Sequence, residues 1–206
     1  MRLDSPTLYP RIGMALGLTL SANVAHAHVA SAQAGAFYAG LLHPLTAPEH
    51  VLPMVALGLL AGQQGLNQGQ GLLLVFPAAM ALGASLALLH PALEWVSLLN
   101  IGSAALFGGL VAAAWRAPAV LLYALALLFG MSHGYANGAA ITPNLSPAVF
   151  IVGLVTAALL VLGYSMAGTA YLLRLQPAWL PIAVRVAGSW IAAVGILVFG
   201  MMVRGQ

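Results

Sequence analysis

Residues 148–173 read AVFIVGLVTAALLVLGYSMAGTAYLL, an unbroken apolar run without a charged side chain. An α-helix rises 1.5 Å per residue, so roughly 20 apolar residues cross a hydrocarbon core about 30 Å thick. This run is longer than that requirement. Working outward from it, five further stretches share its character: Phe37 to Ala61, Leu72 to Leu89, Trp95 to Trp115, Ala119 to Tyr135 and Leu180 to Val203, separated by Gly, Pro, Asn or Gln. Hydrophobic residues make up 62% of the chain and charged ones 4%, with a mean hydropathy of +1.01. No aqueous surface can be built from such a composition. The expected fold is all-α, a polytopic membrane helix bundle of six transmembrane helices.

The amino terminus carries a different signal. Arg2 and Arg11 flank a polar start, Ile12 to Val24 is a short apolar run, and Ala25-His26-Ala27 places small residues at −3 and −1 of a cleavage point. That is the pattern of a cleavable secretory signal peptide, and the run is too short to span comfortably. Residues 1–27 are therefore expected to form a signal peptide and residues 28–206 a single transmembrane domain beginning at His28. If the segment is retained, the count becomes seven spans and the later side assignments stay the same.

Charge sorts the remaining classes. Asp and Glu number three, Lys is absent, and the six basic residues are Arg scattered at the ends of apolar runs. A nucleic-acid binder needs clustered cations, so no nucleic-acid partner is expected. Arg116, Arg174 and Arg185 fall on one side of an alternating topology, which the positive-inside rule makes the cytoplasmic side of a bacterial inner membrane; Arg204 alone disagrees. Cysteine is absent, which removes disulfides and thiolate sites and leaves His, Met, carboxylates and backbone as ligands.

Ionisable groups inside a membrane are costly by a few kcal/mol on insertion scales, so those present usually serve function. The densest group lies in the first mature helix, His43-Pro44-Leu45-Thr46-Ala47-Pro48-Glu49-His50-Val51-Leu52-Pro53-Met54. His43 and His50, seven apart, share a helical face but stand about 10 Å apart along a straight axis. Pro44, Pro48 and Pro53 each remove a backbone donor, so a kinked or broken helix is expected, in which freed carbonyls and the His/Glu pair converge on a cation. Glu49 has no Lys or Arg in its segment, and a metal ion is a natural counter-charge; a protonated Glu49 bonded to His50 in a structural kink is the alternative.

A second group, Met131-Ser132-His133-Gly134-Tyr135-Ala136-Asn137-Gly138, ends the fourth helix. His133 and Asn137 are four apart and face the same way. In the alternating topology this segment and the start of the first helix both lie in the outward half of the membrane. The first and fourth helices each open a three-helix half, the arrangement of an inverted repeat with a midplane site. His28 would offer an amine and an imidazole as a chelating pair. His90 and Glu94 read as interfacial, and Met54 and Met131 as packing residues.

At these residues the chain resembles the HupE/UreJ family of membrane proteins, whose first mature helix carries a His-Pro-Leu…Asp-His…Met pattern. The resemblance extends over the whole chain. It implies uptake of Ni²⁺, and sometimes Co²⁺, for hydrogenase and urease maturation, with His43, Glu49 and His50 in the metal-binding role. Glu49 stands where the family usually has Asp. The family's fourth-helix motif is similar to His-Gly-x-Ala-His-Gly with a nearby Glu, whereas this chain has Asn137 at the second His position and no acid after it.

The expected function is a permease that admits nickel, or cobalt, from periplasm to cytoplasm. His43, Glu49 and His50 would hold the ion, and His133 and Asn137 would complete the site. No prosthetic group is expected. The expected partners are the divalent ion, the lipid bilayer and a metallochaperone or a second copy of the chain in a homo-oligomer. Two other classes compete: an intramembrane zinc hydrolase, for which no His-Glu-x-x-His occurs, and a non-transporting metal-delivery protein, for which the short uncharged loops offer little surface.

Overall fold

The computed structural model of the protein describes residues 32–90 and 93–204. The expected signal peptide and His28 lie outside them. The described helices are α1 (Ala32–Thr46), α2 (Pro48–Gln64), α3 (Leu66–Gly69), α4 (Leu72–Ala87), α5 (Glu94–Ala112), α6 (Ala119–Gly138), α7 (Pro147–Arg174) and α8 (Leu180–Arg204). Among the described residues five stretches are long and apolar enough to cross a membrane, and six if the bent pair α1 and α2 is one span. The chain is thus a polytopic helical bundle.

The first span, Phe37 to Ala61, is broken as its prolines led one to expect, into two helices that meet at an angle of 76°. Proline disfavours helical backbone in the residue before it, and Ala47 is extended with φ −103° and ψ 108°. Pro48 then sits in the first turn of α2, where its missing N–H has no partner to lose. Thr46 closes the end of α1, its hydroxyl lying 3.0 Å from the Leu42 carbonyl and 3.2 Å from that of His43. Some of the carbonyls expected to face a cation are therefore bonded within the chain. Gly65, with φ +94°, makes the turn out of α2 in a conformation that side-chain-bearing residues rarely adopt.

Three close helix pairs build the bundle: α4 with α6, α5 with α8, and α2 with α7. Each is set by glycines that let backbones touch, as small residues do in membranes. Gly130, Gly134 and Gly138 of α6 meet, in order, Phe76, Met80 and Ala84 of α4, so these two helices run the same way. Gly58 and Gly62 of α2 meet Leu162 and Met166 of α7, again in parallel. In contrast, Gly108 of α5 meets Ala192 while Gly195 of α8 meets Ala104 and Ala105, an antiparallel pair. Six alternating spans require these directions: first with fifth and second with fourth parallel, third with sixth antiparallel. α1 departs from α2, since its Phe37 and Gly40 meet Gly153 and Phe150 of α7 in reverse order.

Apolar side chains such as Leu57, Phe76 and Phe107 fill the core, and others cover the outside as well. Large apolar side chains such as Leu74, Val120, Tyr164 and Trp190 are exposed on the outer surface, while His50, Asn100, Ser103, Ser132, His133, Asn137 and Thr169 are buried. A lipid-facing exterior accounts for the first set, and hydrogen bonding must account for the second.

Candidate metal site

The break at Ala47 places His50 in the first turn of α2, buried against the bundle interior. On α6, the glycine stripe presses the helix onto α4 and turns the next side chain, His133, fully inside. The two rings meet there, Nδ1 to Nδ1, at 2.9 Å. His43 is half-buried, and its ring centroid is 6.3 Å from that of His50. Phe76 and Phe150 pack beside the row of three imidazoles, each 6.3 Å from its nearest ring.

Behind His133 lies a polar lattice that the sequence reading missed. Ser103 Oγ is 3.0 Å from His133 Nε2 and 2.5 Å from the Asn100 carbonyl. Ser132 donates to Asn100 Oδ1 at 2.5 Å, and Asn100 Nδ2 lies 3.5 Å from the Ser132 carbonyl. Asn100 and Ser103 are one turn apart on α5, as a shared face requires. Two polar residues so spaced in an apolar helix were the available signal. Ser103 reads in sequence as one more small packing residue, and only the fold brings it to an imidazole.

The remaining expected residues divide. Asn137 is buried one turn beyond His133 and donates through Nδ2 to the His133 carbonyl at 2.8 Å. Its Oδ1 is buried without a hydrogen-bond partner among the described residues, an acceptor available to an ion or a donor. Glu49 is exposed at the edge of a hollow of about 150 Å³ lined by Pro48, Leu52, Ile101, Ala104, Val194 and other apolar residues. Among the described residues no three His, Asp or Glu side chains gather as one ligand set. Glu49 and His50 are adjacent on a helix, so their side chains diverge by about 100°, and the buried member is His50. His90 is exposed beyond the end of α4.

Two imidazole nitrogens suit a divalent transition metal better than Mg²⁺ or Ca²⁺. A metal–imidazole bond is about 2.0–2.1 Å, so two nitrogens at a right angle on one ion stand about 2.9 Å apart. The His50–His133 separation therefore satisfies either a hydrogen bond between the rings or, after a small ring rotation, adjacent positions on an ion.

These features define a multi-pass helical membrane protein with an imidazole pair sealed in its interior. The profile described as HupE / UreJ protein matches residues 16–198. Over 193 residues the chain is 31% identical to Protein HupE of Rhizobium leguminosarum bv. viciae, covering 91% of this chain and 96% of that protein. The chain belongs to the HupE/UreJ family, as its first-helix motif suggested. No solved structure matches it. Membership places it in a family of metal transport rather than of catalysis.

Proposed function

We propose that this protein is a permease of the bacterial inner membrane that carries Ni²⁺, or Co²⁺, inward from the periplasm. The observation that carries the reading is the buried Nδ1-to-Nδ1 pair of His50 and His133, contributed by two different spans. An ion passing between the rings takes the lone pairs of both, with His43 on one side and the free Oδ1 of Asn137 as further donors. Glu49, exposed beside the break, attracts the cation before it reaches the rings. So few protein donors give a site that holds an ion briefly, as conduction demands. A divalent cation moving inward gains about 4.6 kcal/mol per 100 mV of membrane potential, which is drive enough without a nucleotide.

The test is ⁶³Ni²⁺ accumulation in vesicles holding wild type, His50→Ala or Glu49→Gln, with Co²⁺, Zn²⁺ and Cu²⁺ as competitors. His50→Ala should abolish uptake. Glu49→Gln should raise the concentration needed for half-maximal rate. Equal accumulation in all three, above empty vesicles, removes the assigned site, and no accumulation in wild type removes transport.

A further inference from the structure

Hydrogen counting around His133 fixes more than its position. A serine hydroxyl carries one hydrogen, and two acceptor-type atoms lie near Ser103 Oγ: the Asn100 carbonyl at 2.5 Å and His133 Nε2 at 3.0 Å. The carbonyl can only accept. Its shorter contact therefore takes the hydroxyl hydrogen, and Ser103 Oγ is left to accept from His133. The hydrogen of a neutral His133 ring accordingly sits on Nε2, and Nδ1 presents a bare lone pair. Across the 2.9 Å contact the opposite must hold for His50, whose Nδ1 donates.

We propose that Ser103 is a positioning residue of the ion site, which locks His133 in the Nε2–H tautomer and so aims its Nδ1 lone pair at the ion. The inference rests on the ion-site reading above and adds a division of labour to it. His133 is ready to bind as it stands. His50 is the ring that changes: its hydrogen leaves Nδ1 and is replaced at Nε2 of the same ring through exchange with water, freeing the second lone pair with no net release of a proton. The Asn100–Ser132 bonds hold α5 and α6 in the register that keeps Ser103 opposite Nε2. Outer partners of this kind commonly set the tautomer of a metal-binding imidazole, and their loss costs about 10–100-fold in affinity.

The experiment uses full-length protein in lipid bilayers with ¹⁵N-labelled histidine rings. Solid-state NMR reads which ring nitrogen carries hydrogen, and the His133 signals are identified by their loss in His133→Gln. Wild type and Ser103→Thr should show His133 protonated at Nε2 only, while Ser103→Ala should show a mixture or the Nδ1–H form. Ni²⁺ added alone should bind Ser103→Ala at least tenfold more weakly than wild type, with Ser103→Thr restoring most of the difference. An Nδ1–H form of His133 in wild type overturns the proposal, as does an unchanged tautomer or unchanged Ni²⁺ affinity in Ser103→Ala. Wild type that holds the Nε2–H form but binds no Ni²⁺ upholds the tautomer assignment and overturns its role toward an ion, together with the ion-site reading.

Discussion

Replacing Gly134 by Ala puts one methyl group where α6 meets α4. An added Cβ would lie closest to the Met80 carbonyl oxygen, well inside contact distance, and 2.6 Å from Met80 Cα, where ordinary contact begins at 3.4 Å. The obstruction is backbone, so no rotamer change relieves it, and the helices must part by on the order of 1 Å or deform. Overpacking of this kind costs about 1–3 kcal/mol, against a helix-propensity gain of up to about 1 kcal/mol for Gly to Ala. His133 is the adjacent residue and moves with the helix. Its 2.9 Å contact with His50 then lengthens past the usual hydrogen-bond limit of about 3.2 Å. Gly102→Ala is the matched control, since nothing lies within 4 Å of a Cβ there, and it should gain the propensity term alone. Equilibrium unfolding in mixed micelles should separate the two variants by about 1–3 kcal/mol. Ni²⁺ titration should show weakened binding in Gly134→Ala only. Equal stability and equal Ni²⁺ affinity in the two variants would refute the claim that glycine contacts set the imidazole geometry.

Asn137→His adds an imidazole one turn from His133 and should tighten Ni²⁺ binding several-fold, whereas Asn137→Ala should weaken it; direct titration of both settles whether the free amide oxygen takes part. His133→Ala should lower Ni²⁺ affinity at least tenfold, and His90→Ala should leave it unchanged, because His90 is exposed away from the pair. Ala114 holds φ +50° just past α5, a conformation costing a non-glycine residue about 1 kcal/mol or more. Ala114→Gly should therefore stabilise the protein by a net few tenths to about 1 kcal/mol after the entropy of the unfolded glycine is subtracted, with no change in uptake rate.

Run lengths alone carried the fold, because in a membrane every backbone donor must be satisfied within its own helix. The residues 148–173 are read correctly without any knowledge of their neighbours, and α7 spans Pro147–Arg174. Proline chemistry located the interruption of the first span but not its size. A 76° bend depends on α7, which receives α1 and α2 in opposite directions. Of the site, His43, His50, His133 and Asn137 were legible as polar groups in apolar helices, and the fold gathers the three imidazoles into a row. Glu49 was grouped with them as a carboxylate in an apolar span with no Lys or Arg to offset its charge. Helical geometry sends adjacent side chains apart, and the buried place went to the imidazole. Asn100 and Ser103 remained hidden because their importance lies in what α6 brings opposite them, which no local pattern records.

The pairing of helices explains why two imidazoles meet through the same atom. Exchanging the two three-helix halves carries the pair α2/α7 onto α6/α4 and the pair α5/α8 onto itself, and these are the three closest pairs in the bundle. An approximate two-fold relation of this kind brings one ring from each half to a common point, where His50 and His133 meet edge-on at 76°. The relation is not complete, since α2 also packs on α5 while α6 and α8 have no comparable contact. A hydrogen bond between two equivalent nitrogens is itself asymmetric: one ring must donate and the other accept. Symmetry leaves that choice undecided, and the single hydrogen of Ser103, already committed to the Asn100 carbonyl, decides it in favour of His133 as acceptor. The ring that receives an ion without rearrangement is thus chosen by a hydroxyl that touches no ion.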